Sequence, residues 1–383
     1  MKTICIVNGL YFPHTGGVES YIHNLAIQLN KLGYRIIILT SNTEKVKEIE
    51  HLEHFTVYRL PVINLVDKRF PVIIPSKKTF DLIKKIKSEN IDFFLIQMRF
   101  YATSILGAVL SKQLQKPAVV VEHVTGYMTI NNKIFNYLGK IYENWVTRFM
   151  EKRVNAFYAI SKACANWLKN FNIESQGIFY NGVVLDSLNI DESNALIPKS
   201  NDEITFTFAG RLIESKGIKL LVEVFTDLQK KYNNIKLIIC GTGELYNELK
   251  EKTAGYSNIL MTWQIAHREA MKFLKNSDIV VIPSNYPEGL PTLILEAGAC
   301  SAAVIATNVG GTNEVISNEE LGILIEPNNL QQLKDAMEKL IINKDLREKL
   351  AKNLNKKIIL DFLWENNAKV VASEIEKQFS FVK

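Results

Sequence analysis

Apolar positions along this chain alternate between two patterns. Short unbroken apolar runs read as strands buried on both faces, and between them apolar residues recur at helical spacing. Thr3 to Val7 is the first run and ends at Asn8-Gly9. Val18, Ile22, Leu25, Ala26 and Leu29 then fall on one face of a helix predicted from Val18 to Leu32, and Gly33 closes it as a C-terminal cap glycine does. Further strands are predicted at Tyr34–Thr40, Val57–Leu60, Phe93–Gln97, Ala118–Val121, Ala156–Ile160 and Gly177–Tyr180. A polar stretch from Asp186 to Glu203 interrupts the pattern and reads as a linker or domain edge. Strands resume at Ile204–Ala209, Lys236–Cys240, Asp278–Ile282, Val304–Ala306 and Gly322–Ile325; helices at Gln331–Ile342 and around Trp364 follow. Strands alternating with helices imply mainly parallel sheets with helices on both faces. The pattern predicts two sequential α/β domains facing across a cleft.

The most informative segment runs from Pro283 to Ala297, directly after the strand Asp278–Ile282. Pro291 sits where a helix should start, since its fixed φ and missing N–H suit the first helical position. Glu288 then lies in the loop before the helix, and Glu296 lies on it, five residues past Pro291. Gly289 removes a side chain where the backbone approaches a ligand, and the helix N-terminus offers free N–H groups to an anion. One loop thus presents a carboxylate, an anion pocket and a second carboxylate, which suits a sugar linked through a diphosphate to a nucleoside. A second segment, Ala209-Gly210-Arg211-Leu212-Ile213-Glu214-Ser215-Lys216-Gly217, follows the strand Ile204–Ala209. It brings Arg211 and Lys216 near one another on one short loop, a fork of donors and a point charge that match a diphosphate.

Val121-Glu122-His123 ends a strand of the first half, where a histidine can bond a sugar hydroxyl. His14 is the second candidate, beside the Gly16-Gly17 turn; His23, His51, His54 and His267 read as solvated. Gly16-Gly17 and Gly241-Thr242-Gly243 are turns after strands, yet neither is a dinucleotide fingerprint or a P-loop.

Pro287-Glu288-Gly289-Leu290-Pro291 followed by Leu295-Glu296-Ala297 resembles the Glu-seven-residues-Glu signature of the family 4 retaining glycosyltransferases. Gly210-Arg211 with Lys216-Gly217 resembles the same family's diphosphate motif. Asn308 to Glu314 is similar to a further segment of it, a Gly-Gly turn before a helix. Tyr180-Asn181-Gly182-Val183 resembles its hinge, with Tyr180 in place of a Pro and Val184 in place of an Asp. The resemblance implies the GT-B fold. Residues 1–183, joined by the C-terminal helix at about 362–383, would bind the acceptor, and residues 184–361 the nucleotide sugar. It further implies retention of configuration and a hexose-type donor. Arg211 and Lys216 would neutralise the leaving diphosphate, and Glu288 and His123 would act at the donor sugar. Glu296 would bind the ribose, with Gly16, Gly17, Gly210, Gly289, Leu290, Pro291 and Thr292 completing the donor pocket. No cofactor and no metal are expected, and no Asp-x-Asp occurs. A nucleotide-sugar epimerase of similar fold and a non-catalytic nucleotide-sugar-binding subunit are the alternatives.

Composition bounds these readings. The 383 residues are 47% hydrophobic and 22% charged, which is globular. No apolar run approaches the ~20 residues of a membrane helix. A strand begins at once, so no signal peptide is expected, and Cys5, Cys164, Cys240 and Cys300 are scattered, which fits a reduced, cytoplasmic protein. The net charge of +6 is uneven: residues 1–200 carry 24 Lys+Arg against 16 Asp+Glu. That basic half suggests an anionic partner. Lys133 to Val154 mixes aromatic, aliphatic and basic residues at helical spacing. Core packing is the first reading of it, and an interfacial helix on an anionic membrane is the alternative. The expected partners are therefore a nucleotide-sugar donor, a glycan or lipid-linked acceptor and an anionic membrane surface, with nucleic acid excluded.

Overall fold

A computed structural model of the chain describes residues 1–65, 70–129, 132–184 and 202–380. Most of the predicted linker, 186–201, lies outside the described residues. The chain divides into two compact units, Met1–Asn181 with Trp364–Lys383, and Gly182–Leu363.

The first unit holds strands β1 (Thr3–Val7), β2 (Arg35–Ser41), β3 (Ile49–His51), β4 (Phe55–Leu60), β5 (Val62–Leu65), β6 (Phe70–Ile73), β7 (Phe93–Gln97), β8 (Ala118–Glu122) and β9 (Ala156–Ala159). Its main sheet has the order β3-β4-β2-β1-β7-β8-β9, parallel except for β3, and β5 with β6 forms a separate antiparallel hairpin. Central strands are apolar throughout because both faces are covered: Cys5 sits between Ile37 and Phe94 in register, all fully buried. Helices α1 (Gly17–Lys31), α2 (Lys77–Lys87), α3 (Ala102–Gln113), α4 (Lys133–Glu151) and α5 (Lys162–Leu168) connect the strands.

The expected strand Gly177–Tyr180 is reduced to one bridge, Ile178 to Ala159. The carbonyl of Phe179 accepts from the Tyr21 hydroxyl, and the Phe179 ring stacks on Tyr158 at 4.2 Å, so side chains take over where the ladder stops. Helix α4 departs further from expectation. Only Glu143, Val146, Thr147 and Met150 are buried, and most of its large apolar side chains face outward.

The second unit holds β10 (Ile204–Ala209), β11 (Ile235–Cys240), β12 (Ile259–Thr262), β13 (Ile279–Ile282), β14 (Ala303–Thr307) and β15 (Ile323–Ile325). Helices α6 (Ile218–Leu228), α7 (Tyr246–Thr253), α8 (His267–Lys275), α9 (Thr292–Ala299), α10 (Thr312–Val315), α11 (Leu330–Ile342) and α12 (Lys344–Asp361) surround them. The sheet order is β12-β11-β10-β13-β14-β15 and every pairing is parallel. Parallel strands end on one edge, so the loops after β10, β11, β13 and β14 all open there.

The last helix, α13 (Trp364–Ser380), belongs to the first unit. Trp364 is fully buried with its ring 5.1 Å from Tyr21, and Asn367 Nδ2 donates to the carbonyl of Asn181 at 2.9 Å. Tyr34 donates its hydroxyl to Glu376 at 2.7 Å, and Tyr158 to Glu374 at 3.1 Å.

Candidate functional site

Three loops on the edge of the second sheet converge on Glu288. The loop after β13 carries it. Ser284, buried at the strand end, donates its hydroxyl to Glu288 Oε1 at 2.6 Å. The loop after β10 brings Lys216, whose Nζ lies 2.6 Å from Glu288 Oε2. Lys216 ends a single tight turn, Glu214–Lys216, closed by Gly217 in the left-handed region with φ 67°. A Cβ at Gly217 would lie 2.8 Å from the carbonyl carbon of Pro283, so glycine lets this turn pack onto the end of β13. Asn285 N–H, bonded to the carbonyl of Ser215 at 2.9 Å, fastens the same two loops. The loop after β14 supplies Gly311, whose N–H donates to the Glu288 carbonyl at 3.1 Å. Gly310 beside it has φ 55°, and a Cβ there would lie 2.7 Å from both the amide nitrogen and the carbonyl carbon of Glu288.

Helix α9 begins at Thr292 with Pro291 as its N-cap, one residue earlier than expected for Pro291. Its ψ of 109° is still extended, so the proline leads into the helix instead of forming its first turn. Leu290 and Pro291 are buried, and Gly289 and Thr292 are partly buried. Glu296 lies on α9, and its Oε1 meets Nε2 of His267 at 2.9 Å. His267, read from the sequence as solvated, is exposed but engaged, and the Glu296 carboxylate holds its pKa above the ordinary imidazole range. One turn on, burial and then Glu296 push the Cys300 thiol up to about 12.

Arg211 follows Gly210 as expected, yet its side chain is exposed and bonds to no described residue. In the chain alone Lys216 turns to Glu288.

In the first unit His123 directly follows β8 and is buried. Its Nε2 shares a 2.7 Å hydrogen bond with Gln97 Oε1, and the Tyr21 ring meets it edge-on at 4.8 Å. Burial lowers its pKa to about 3, so the imidazole is neutral near pH 7. Behind it lies a charged cluster that the sequence did not disclose. Arg99, fully buried, pairs with Glu122 and, at 2.8 Å, with Glu143 on α4. Glu122 accepts the N–H groups of His123 and Val124 at 3.0 and 3.2 Å, and Glu143 that of Met128 at 2.8 Å. Two carboxylates around one guanidinium thus hold the loop that carries His123. The only sequence signal was a charge set into otherwise apolar surroundings, as in Met98-Arg99-Phe100.

Gly16 is the N-cap of α1 in extended conformation, and Gly17 has open space where a Cβ would stand. The carboxylate of Glu19 is buried against Gly16 and lies 3.4 Å from His14 Nδ1, so the chain's own acid faces this helix start. His23 is not solvated either. Tyr11 bonds its Nδ1 at 2.9 Å, Phe12 and Phe55 meet it edge-on, and burial lowers its pKa.

Comparison with known proteins gives this geometry a class. Residues 189–357 match the model of the glycosyl transferases group 1, and residues 15–187 match that of glycosyltransferase family 4. The chain belongs to this family of glycosyltransferase enzymes and has its GT-B type of α/β fold. An uncharacterized glycosyltransferase of Methanocaldococcus jannaschii is 29% identical over 377 residues, covering 96% of each chain. Among solved structures, a sucrose-phosphate synthase of Thermosynechococcus elongatus superposes with a TM-score of 0.79 at 19% identity, over 99% of this chain and 100% of that one. The Anabaena protein HepE, solved with UDP-glucose, gives 0.74 at 16% identity, over 98% and 100%.

Proposed function

We propose that this enzyme transfers a hexose-type sugar, with retention of configuration, from a nucleoside-diphosphate donor to a glycan or lipid-linked acceptor. The observation that carries the reading is Glu288 held between Lys216 and Ser284 at the carboxyl edge of a parallel sheet, with Glu296 on the helix behind it. The UDP-glucose complex of HepE, a protein of the same fold, supports a nucleotide-sugar donor.

In this reading Lys216 and Arg211 draw the diphosphate, and the α9 N-terminus adds its dipole. Glu288 orients donor sugar hydroxyls, Glu296 holds the ribose, and His123, whose Nε2–H is taken by Gln97, accepts a hydrogen bond from a sugar hydroxyl at Nδ1. The bond between the anomeric carbon and the diphosphate oxygen breaks, and its electron pair stays on the phosphate. The acceptor oxygen bonds to the anomeric carbon on the same face and gives its proton to the leaving phosphate. Nucleoside diphosphate and a glycoside are the products, so the residues supply position and charge in place of a protein nucleophile. The reaction takes no metal or cofactor in this proposal. The enzyme works on the cytoplasmic face of the membrane in making a cell-surface polysaccharide or glycoconjugate. Among the described residues no helix is long and apolar enough to cross a membrane.

The test is release of nucleoside diphosphate by the purified chain from a panel of nucleotide sugars, with and without chelator. The anomeric configuration of the glycoside is then read by NMR. Release with one donor, insensitive to chelator, and a retained product are expected. An epimerised free sugar with no glycoside, or an inverted product, would overturn the reading.

A further inference from the structure

Helix α4 exposes an apolar stripe that the first unit leaves uncovered. Ile134, Phe135, Tyr137, Leu138, Ile141 and Trp145 are 51–72% exposed. Residues 134, 138, 141 and 145 are spaced as one helix face and form a stripe about 16 Å long. The opposite face is anchored: Glu143, Val146, Thr147 and Met150 are buried, with Glu143 tied to Arg99. The helix is therefore anchored with its apolar side outward.

Cations extend the stripe. Arg148 and Lys152 continue the same face toward the C-terminus, and Lys133 and Lys140 flank it; all four are exposed. Between Lys133 and Arg153 the only exposed acid is Glu151, since Glu143 points into the unit. The β5–β6 hairpin lies alongside, because the Phe70 ring meets Tyr142 of α4 at 5.5 Å. It exposes Ile63 and Leu65 on one strand and Val72 on the other, a further run of apolar side chains. Aliphatic and aromatic side chains bordered by cations complement an interface of acyl chains and anionic headgroups. A soluble protein partner would need a matching acidic and apolar surface, and a second copy would set these cations against themselves.

We propose that α4, with the β5–β6 hairpin beside it, docks the protein on an anionic lipid bilayer. Ile134, Leu138, Ile141 and Trp145 enter the headgroup–acyl boundary, and Arg148 and Lys152 bind headgroups. The proposal rests on the function given above only in making that bilayer the source of the acceptor.

Full-length protein is sedimented with vesicles of phosphatidylcholine containing one third phosphatidylglycerol, and with pure phosphatidylcholine, at low and high salt. Binding to the anionic vesicles at least tenfold tighter than to the neutral ones, and weakened by salt, is expected. Leu138→Asp/Trp145→Asp should lose that binding at least tenfold with an unchanged unfolding midpoint, because both side chains are exposed. Arg148→Glu/Lys152→Glu should lose the preference for anionic vesicles. Donor hydrolysis without vesicles should be the same in all variants, so failure of the enzymatic reading shows separately. Three outcomes overturn the proposal: no vesicle binding by the wild type, equal binding by the variants, or a concentration-dependent dimer that the same substitutions abolish.

Discussion

Gly310→Ala should disable the enzyme without touching a chemical group. At φ 55° a non-glycine residue is strained by about 1–2 kcal/mol. The added Cβ would also stand 2.7 Å from the backbone nitrogen and carbonyl carbon of Glu288, and nearer still to the carbonyl oxygen. Carbon contacts are comfortable at about 3.5–4.0 Å, so the Glu288 loop must retreat by about 1 Å. Overpacking of that kind costs about 1–3 kcal/mol, for a total near 2–5 kcal/mol of stability. A displacement of about 1 Å at a reacting centre costs on the order of 100-fold in rate. Steady-state release of nucleoside diphosphate and thermal unfolding measure the two effects separately. Gly33→Ala is the control. It shares a positive φ of 92°, but nothing lies within 4 Å of its Cβ position. It should show only the conformational loss of about 1–2 kcal/mol and normal turnover. Wild-type turnover in Gly310→Ala, or an equal loss in Gly33→Ala, would refute the reasoning.

Lys216→Ala and Arg211→Ala should each lower turnover about 10- to 100-fold, since a hydrogen bond to a charged group contributes about 1.5–3 kcal/mol. Arg211→Ala should leave the unfolding midpoint unchanged, because its side chain is exposed and unengaged; wild-type kinetics in both variants would remove this loop from the site. Glu288→Gln should lower kcat more than Glu296→Gln, which should act mainly on donor affinity; the reverse order in a donor titration would exchange their roles. His123→Gln should lose activity at nearly unchanged nucleotide affinity and should flatten the acid side of the stability profile. The native imidazole resists protonation down to about 3, while the unfolded one binds a proton below ~6.5. Its contribution is therefore complete above ~6.5 and falls as pH drops, by about 2 kcal/mol at pH 5. Denaturant titrations from pH 7 to 5 check this, and identical slopes in wild type and variant would contradict it.

What the sequence disclosed followed from strong local punctuation. Buried parallel strands are apolar runs, and the Gly and Pro residues after β10 and β13 mark the loops that carry Lys216 and Glu288. Less legible were the partners of those loops. Lys216 and Glu288 are 72 residues apart, and nothing local says that they meet. Arg99, Glu122 and Glu143 are charges that composition assigns to the surface; their burial depends on mutual pairing. The edge strand β3 and the charge-rich helix α12 carry no apolar run of the kind that revealed β1, β7 and β10. Helix α4 failed for a different reason. Periodicity reveals an apolar stripe but not what covers it, and here the buried face is the one with Glu143 and Thr147.

In the proposed reaction two carboxylates flank a diphosphate, an electrostatic problem that the second unit would meet twice. Glu288 is neutralised by Lys216 at 2.6 Å, and Glu296 is matched by His267 at 2.9 Å, whose raised pKa favours the cation. Unpaired, each carboxylate would repel the donor's phosphates. Both oxygens of Glu288 are engaged, one by Ser284 and one by Lys216. In the proposed reaction Lys216 would turn toward an arriving diphosphate while the Ser284 hydroxyl and the Gly311 N–H still fix Glu288. The carboxylate freed in that exchange would then be the one that meets the hydroxyls of the donor sugar. In the proposed reaction binding of the leaving group and presentation of the carboxylate would thereby be coupled through one lysine, and the coupling needs only the loops after β10, β13 and β14.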